Sequence, residues 1–199
     1  MTLEDDVVRL RPFEEGDVPA IVAACQDPEI PRWTAVPSPY TEADARAWLE
    51  SDEEESFAVV DRASDELLGS IGVRHLDGGI GEVGYWVKRE ARGRGVATRA
   101  LGLVARWALV DKGLGRFQLR ADVANEASQR VAEKAGFVRE GVLRSSLVHR
   151  GERRDVIMYS LVREDLRGHP GPPPAFERTS KIPADGASNV ARDAGSEGR

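Results

Sequence analysis

Residue type and spacing first suggest chemistry at Tyr85-Trp86-Val87-Lys88, followed by Arg92-Gly93-Arg94-Gly95-Val96-Ala97 and then a helical apolar period. A strand that ends in a glycine-bearing loop, with a helix opening behind it, aims several backbone N–H groups into one concavity. The helix dipole and the side chains of Arg92 and Arg94 add positive potential there. Glycine matters because a side chain would hold an anion away from the backbone. Such a loop is a phosphate cradle.

Three phosphate chemistries compete for it. A Walker loop needs four residues between its glycines and then Lys-Ser/Thr, which is absent. A dinucleotide fingerprint would place a third glycine where Thr98 stands, and it usually opens the fold rather than following four strands. The third form, Arg/Gln-x-x-Gly-x-Gly/Ala, binds acyl-coenzyme A and is met by Arg92, Gly95 and Ala97. Taken alone, the glycines also fit a plain strand-to-helix turn.

A second group lies about 30 residues on: Asn125-Glu126-Ala127-Ser128, then Arg130-Val131-Ala132-Glu133-Lys134-Ala135-Gly136-Phe137. Asn125 is a good helix N-cap and Ser128 the third helical residue, so capping alone accounts for both. Arg130 and Lys134 read equally as solvated helix charges. A Ser/His/Asp trio can be drawn from Ser128, His75 and Asp77, but no Gly-x-Ser-x-Gly elbow supports it. Cys25, on an apolar helix face, reads as a small buried hydrophobe.

The elements that would position these groups follow from period and punctuation. Val7–Arg11 alternates as a strand, and Glu14-Glu15-Gly16-Asp17 opens a helix running to Cys25. Prolines 28, 31, 37 and 39 break the next segment into a loop carrying Trp33 and Tyr40. Thr41-Glu42-Ala43-Asp44 is a capping box that launches a helix to about Glu50. Strands follow at Phe57–Asp61, Leu67–Leu76 and Glu82–Lys88, with Asp77-Gly78-Gly79 as the last turn. A helix from Val96 stops at Lys112-Gly113. Phe117–Val123 is a strand, Glu126–Ala135 a helix stopped by Gly136, and Phe137–Val148 pairs with Arg154–Leu161 around Arg150-Gly151.

Composition bounds the setting. With 41% apolar and 31% charged residues, the chain can bury a core. No run approaches the roughly 20 apolar residues of a membrane helix. The acidic N-terminus lacks the order of a secretion signal. One cysteine cannot form an internal disulfide, and with three histidines it makes structural zinc a poor fit. These features predict a reducing, cytoplasmic location, no membrane and no metal. The net charge of −6 is divided unevenly: residues 1–55 hold 4 basic and 15 acidic side chains, residues 56–167 hold 20 and 15. No broad basic face for general nucleic-acid binding emerges. The split fits an anionic ligand on one side and a cationic acceptor on the other, or simply solvated acidic helices. Residues 168–199, with five prolines, five glycines and no apolar period, read as a disordered tail behind a domain of residues 1–167.

In order and spacing, residues 8–163 resemble the GNAT acyltransferase superfamily, in its RimJ/RimL-like branch. The resemblance rests on Asn125-x-x-Ser128 with Glu133-Lys134-Ala135-Gly136-Phe137, and on Leu10-Arg11-Pro12, Pro37-Ser38-Pro39-Tyr40-Thr41, Gly84-Tyr85-Trp86 and Arg139-Glu140-Gly141. It implies an α/β (α+β) fold. The sheet would be mixed, mostly antiparallel and seven-stranded, with a central parallel pair that splays apart, flanked by about four helices. It also implies acetyl-coenzyme A as co-substrate, held by Val87 and by Arg92, Gly93, Arg94, Gly95, Val96, Ala97 and Thr98. Asn125 would bond the pantetheine arm, and Arg130 and Lys134 would face the phosphates.

For chemistry, the resemblance places Ser128 near the sulfur. Glu82 is the expected base, acting through water on an amine that is otherwise protonated at neutral pH, and a surface acid is its alternative. The Val87 N–H is the expected oxyanion donor. Trp33, Tyr40 and Tyr85 are the expected acceptor-side residues. Two departures stand out: Ala132 occupies the position of a tyrosine acid in many relatives, and Ser145-Ser146-Leu147 replaces a later carboxylate of some ribosomal-protein acetylating relatives. The expected activity is direct acyl transfer to a primary amine, a protein N-terminus or a small amine, in a ternary complex. Other acyl donors such as succinyl-coenzyme A, a homodimer, and a non-catalytic acyl-coenzyme A sensor are the open alternatives.

Overall fold

Strict alternation makes β2 (Val8–Arg11) a strand: Val8 and Leu10 are wholly buried while Arg9 and Arg11 are half-buried on the other face. It is one of eight strands in a single sheet in the computed structural model, which describes residues 1–51 and 55–168. In chain order the others are β1 (Leu3–Glu4), β3 (Glu55–Asp61), β4 (Leu67–Leu76), β5 (Ile80–Val87), β6 (Arg116–Asp122), β7 (Val138–His149) and β8 (Glu152–Leu161). The spatial order is β1-β2-β3-β4-β5-β6-β8-β7, and all neighbours are antiparallel except β5 and β6. The eighth strand, beyond the seven expected, is the two-residue β1, too short to display a period.

Five α-helices are seen among the described residues: α1 (Val18–Cys25), α2 (Glu29–Trp33), α3 (Glu42–Leu49), α4 (Val96–Arg106) and α5 (Glu126–Lys134). The proline-rich segment expected to be a loop contains α2. Pro28 caps it and Pro31 lies in its first turn, where a missing N–H leaves no helix bond unmade. At α3 the capping box forms: Thr41 Oγ1 accepts the Asp44 N–H, and Asp44 Oδ2 accepts the Thr41 N–H at 2.8 Å. The last turn of α4 widens into a π-type turn over Trp107–Asp111 before the Lys112-Gly113 stop.

The helices cover the sheet unevenly. One face packs on α4, with Leu101, Val104, Trp107 and Leu109 against Phe57, Ile71, Val83 and Phe117. Each such side chain contributes about 1.5–3 kcal/mol by leaving water. On the other face α1 and α3, with Ile30 of α2, bury Val18, Ile21, Cys25, Tyr40 and Ala45 against Ala58, Val60 and Trp86. That second cover stops short of β6, so a trough stays open over the sheet's middle. Gly81 sits where β5 meets β6: a Cβ there would lie 2.7 Å from Leu114 Cδ1 and 2.9 Å from Phe117 Cδ2. A side chain there would have to displace both Leu114 and Phe117.

The expected tail begins at Gly168, which ends a 3-10 turn; the rest of it lies outside the described residues. Among the described residues, no helix is long and apolar enough to cross a membrane, and no group of acidic, histidine and cysteine side chains is arranged to hold a metal.

Candidate active site

The parallel pairing of β5 and β6 lasts for three residues, Ile80 with Arg116, Gly81 with Phe117 and Glu82 with Gln118. Beyond them the strands splay. A cavity of about 890 Å³ occupies the gap, walled by residues 83–87 of β5 and 119–122 of β6. It runs from the start of α4, past the start of α5, to α2 and the β7–β8 hairpin. Strand alternation decides what faces it. Lys88 donates its N–H to Leu68 of β4, so the N–H and C=O of Val87 point the other way, into the splay. The Val87 carbonyl accepts Arg92 Nε at 3.0 Å, and its N–H is left facing the cavity.

The loop before α4 has the conformation a cradle needs. Gly93 and Gly95 have φ of 74° and 80°, and Gly95 is the N-cap of α4. A Cβ on either would meet no protein atom within 4 Å, so the space beside both glycines is open. The first helical bond runs from Arg99 N–H to Gly95 C=O, so the N–H groups of Val96, Ala97 and Thr98 precede the helix's own acceptors. This donor set and concavity suit a pyrophosphate. Val87, Arg92, Gly93, Gly95, Val96, Ala97 and Thr98 all line the cavity, as do Asn125, Arg130 and Lys134. Arg94 does not: it is exposed outside the wall. Arg92 also differs from expectation, since its guanidinium lies 2.7 Å from Asp27 Oδ2 and ties the loop to the α1–α2 connection. The Val96 side chain belongs to the core, so only its backbone can serve a ligand.

At the start of α5 the Asn125 cap and the cavity wall coincide. Asn125 Oδ1 accepts the Ser128 N–H at 3.1 Å, which fixes Ser128 on the cavity wall. The Ser128 hydroxyl lies 3.0 Å from the Tyr85 hydroxyl, which reaches across from β5. Arg130 is 60% exposed and pairs with Glu126 at 3.2 Å.

Glu82 does not reach the cavity. It is 8% exposed at the foot of the splay, with Oε1 held by Arg74 at 2.5 Å and Arg120 at 2.6 Å, and Oε2 by Gln118 at 3.0 Å. Burial alone would push its carboxyl up. The hydrogen bonds from Arg120 and Gln118, the Arg120 charge and Arg74 outweigh that and hold it below the usual carboxylate range. A carboxylate so engaged makes a poor base and a good organiser of arginines, which corrects the sequence expectation. Glu140 on β7 is likewise spent: Arg116 and then Ser160 bring it down to about 2 despite some burial.

The far end is assembled from distant segments. Arg150, at the hairpin tip, donates from Nε to the Pro31 carbonyl at 3.1 Å and from Nη2 to the Val36 carbonyl at 3.0 Å. This latch holds the hairpin over α2. It brings His149 to the wall, where its Nε2 is buried without a partner among the described residues. Trp33 lines this end and donates Nε1 to Glu29. Tyr40 lines it too, although its ring belongs to the second core. Sequence reasoning missed His149, Arg150, Arg120 and Arg154; the Arg150-Gly151 turn was the one local signal at this end. The acidity of residues 1–55 does not concentrate here. Of the wall's carboxylates, Glu29 pairs with Arg32, Asp44 caps α3, and Asp122 pairs with Arg154.

Residues 8–138 match the acetyltransferase (GNAT) domain family. Bacillus subtilis YdaF, named as a ribosomal N-acetyltransferase, is 35% identical over 104 residues, 51% of this chain and 57% of YdaF, so the chain spans less than two thirds of that relative. A GNAT-family acetyltransferase structure from Bacillus anthracis superposes with a TM-score of 0.76 at 23% identity, covering 82% of this chain and 99% of that one. The ribosomal L7/L12 α-N-protein acetyltransferase RimL, solved with coenzyme A, superposes with a TM-score of 0.73 at 18% identity, covering 81% and 98%.

Proposed function

This chain belongs to the GNAT acetyltransferase family, and from that premise we propose that it is an acetyl-coenzyme A-dependent N-acetyltransferase that passes the acetyl group directly to a primary amine, with both substrates held in the one cleft. The observation that carries this reading is the continuity of the cavity. One space joins the glycine cradle, the splayed strands and the hairpin-covered end.

Acetyl-coenzyme A supplies an electrophilic thioester carbonyl and a thiolate that can leave. The residues act around it. The N–H groups at the start of α4 receive the pyrophosphate, with Lys134 and Arg130 at the cavity's edge adding positive charge. The inward Val87 N–H faces the carbonyl oxygen as it gains charge. Ser128, fixed by Asn125, offers its hydroxyl to the sulfur. Trp33, Tyr40 and Tyr85 bound the space left for the acceptor.

The acceptor class follows from what the cleft lacks. Among the described residues its carboxylates, Glu29, Asp44 and Asp122, are all engaged, so an alkylammonium with a pKa of about 10 would find no free carboxylate base among them, whereas an α-amino group at about 8 is partly neutral already. His149, whose Nε2 has no partner among the described residues, is the one imidazole on that wall. This favours a protein N-terminus over a lysine side chain or polyamine, in line with the α-N-protein activity in the printed name of RimL. The test is incubation of the full chain with mixed acyl-coenzyme A donors and a panel of amines, read by mass spectrometry. Acetylated α-amino peptides are expected to dominate. Transfer to no amine alongside tight coenzyme A binding would overturn the proposal in favour of a sensor.

A further inference from the structure

We propose that Tyr85 is a positioning residue for Ser128: its phenol donates a hydrogen bond to the serine hydroxyl and thereby turns the serine's own proton into the cleft. This rests on the reading of Ser128 given above. The two oxygens are 3.0 Å apart, from opposite walls of the splay, and either could donate on distance alone. Acidity decides the direction. A phenol, with an ordinary pKa near 10, is a far stronger acid than an alkanol and so the better donor, while the alkanol oxygen is the better acceptor.

A serine hydroxyl has one proton and two lone pairs. Once Tyr85 fills one lone pair, the proton must find another acceptor. In a helix the usual local one is the carbonyl four residues back. Ser128 is the third residue of α5, so that carbonyl belongs to Ala124, ahead of the Asn125 cap and outside the helical ladder. The backbone of Ser128 cannot swing to seek another, because its N–H is held by Asn125. Nor does the Asn125 carbonyl, three residues back, accept it; among the described residues Tyr85 is the one partner of the Ser128 hydroxyl, so the cavity remains. There the C–N bond forms and the C–S bond breaks with its electron pair on sulfur. The proton shed by the amine nitrogen ends on that sulfur, and the oriented serine hydrogen-bonds it while it is negative.

The phenol is suited to this task. Its ring packs against the main core, so the hydroxyl is presented from a fixed base. Burial pushes its pKa up to about 12, the Ser128 bond offsetting this only in part, so it keeps its proton throughout the working range.

The test is a double-mutant cycle in the full chain with Tyr85→Phe and Ser128→Ala. It measures acetyl-coenzyme A affinity and turnover with a free amine that serves as acceptor in the panel. Tyr85→Phe should lower the rate about 3- to 10-fold, equally from pH 6 to 9, with donor affinity unchanged. In the Ser128→Ala background it should change the rate by less than about 1.5-fold, because the group it orients is gone. A wild-type rate in Tyr85→Phe, or an undiminished effect without Ser128, would overturn the inference and leave the reading of Ser128 standing. A wild-type rate in Ser128→Ala would overturn both.

Discussion

The two ends of the cleft are built from different materials. The cradle end is mostly backbone: the N–H groups of Val96, Ala97 and Thr98 and two glycines at positive φ. The far end is side chains from distant parts of the chain, joined by Arg150 to carbonyls 114 and 119 residues away. A backbone site needs particular residues at consecutive positions, so it leaves a motif. A site made of long-range contacts needs only compatible shapes, and leaves none. A co-substrate common to a large family can be met by the first kind, and a choice among acceptors can be built from the second.

Changes at each end should therefore fail differently. The largest effect is expected at the cradle. Gly95→Glu places a side chain and a negative charge in the open space beside the loop and forces a non-glycine residue to φ near 80°. Coenzyme A affinity should fall about a hundredfold, close to 3 kcal/mol, by calorimetry. Unchanged affinity would remove the cradle from the account.

Glu82→Gln should act on stability rather than on the rate profile. It leaves Arg74 and Arg120 facing a neutral amide, at a cost of about 2 kcal/mol, reduced from a fully buried pair because both arginines are partly exposed. The folded carboxyl titrates below its ordinary value of 4.5, so the stabilisation is present above that pH and is lost as pH falls through the folded value. The difference between wild type and variant in denaturant unfolding should thus be full at pH 7 and shrink below about pH 4.5. A shifted pH–rate profile with stability unchanged would restore Glu82 as the base.

Arg150→Ala sharpens the comparison from the other side. Losing the latch should raise the acceptor KM about tenfold with coenzyme A affinity intact, as expected for an interaction used in acceptor binding alone. Equal losses at both ends would mean that the two are one cooperative unit. The smallest effect is expected from residues 168–199, whose composition predicts no packed face: a chain ending at Arg167 should keep its Tm and donor affinity. A drop of several degrees would show that they pack on the domain.

The same contrast explains what was legible in the sequence. Strands such as Leu67–Leu76 and the α3 capping box announced themselves because period and caps are local. So did the family, through the cradle and Asn125-x-x-Ser128. The α2 helix was hidden because its prolines look like breakers unless their position in the first turn is known. The role of Glu82 was hidden because a carboxylate's value as a base depends on what surrounds it, and Arg74, Gln118 and Arg120 come from β4 and β6. His149 reaches the wall only through the hairpin latch, which no local pattern reports. The Tyr85–Ser128 contact spans 43 residues and two walls of the splay.

A crystal structure of the full chain with coenzyme A would test the cradle and the splay together. The pyrophosphate is expected against the N–H groups of residues 93–98, the pantetheine arm between β5 and β6, and the sulfur within hydrogen-bonding reach of Ser128 Oγ. Coenzyme A bound outside the splay, or with its sulfur remote from Ser128, would contradict this placement.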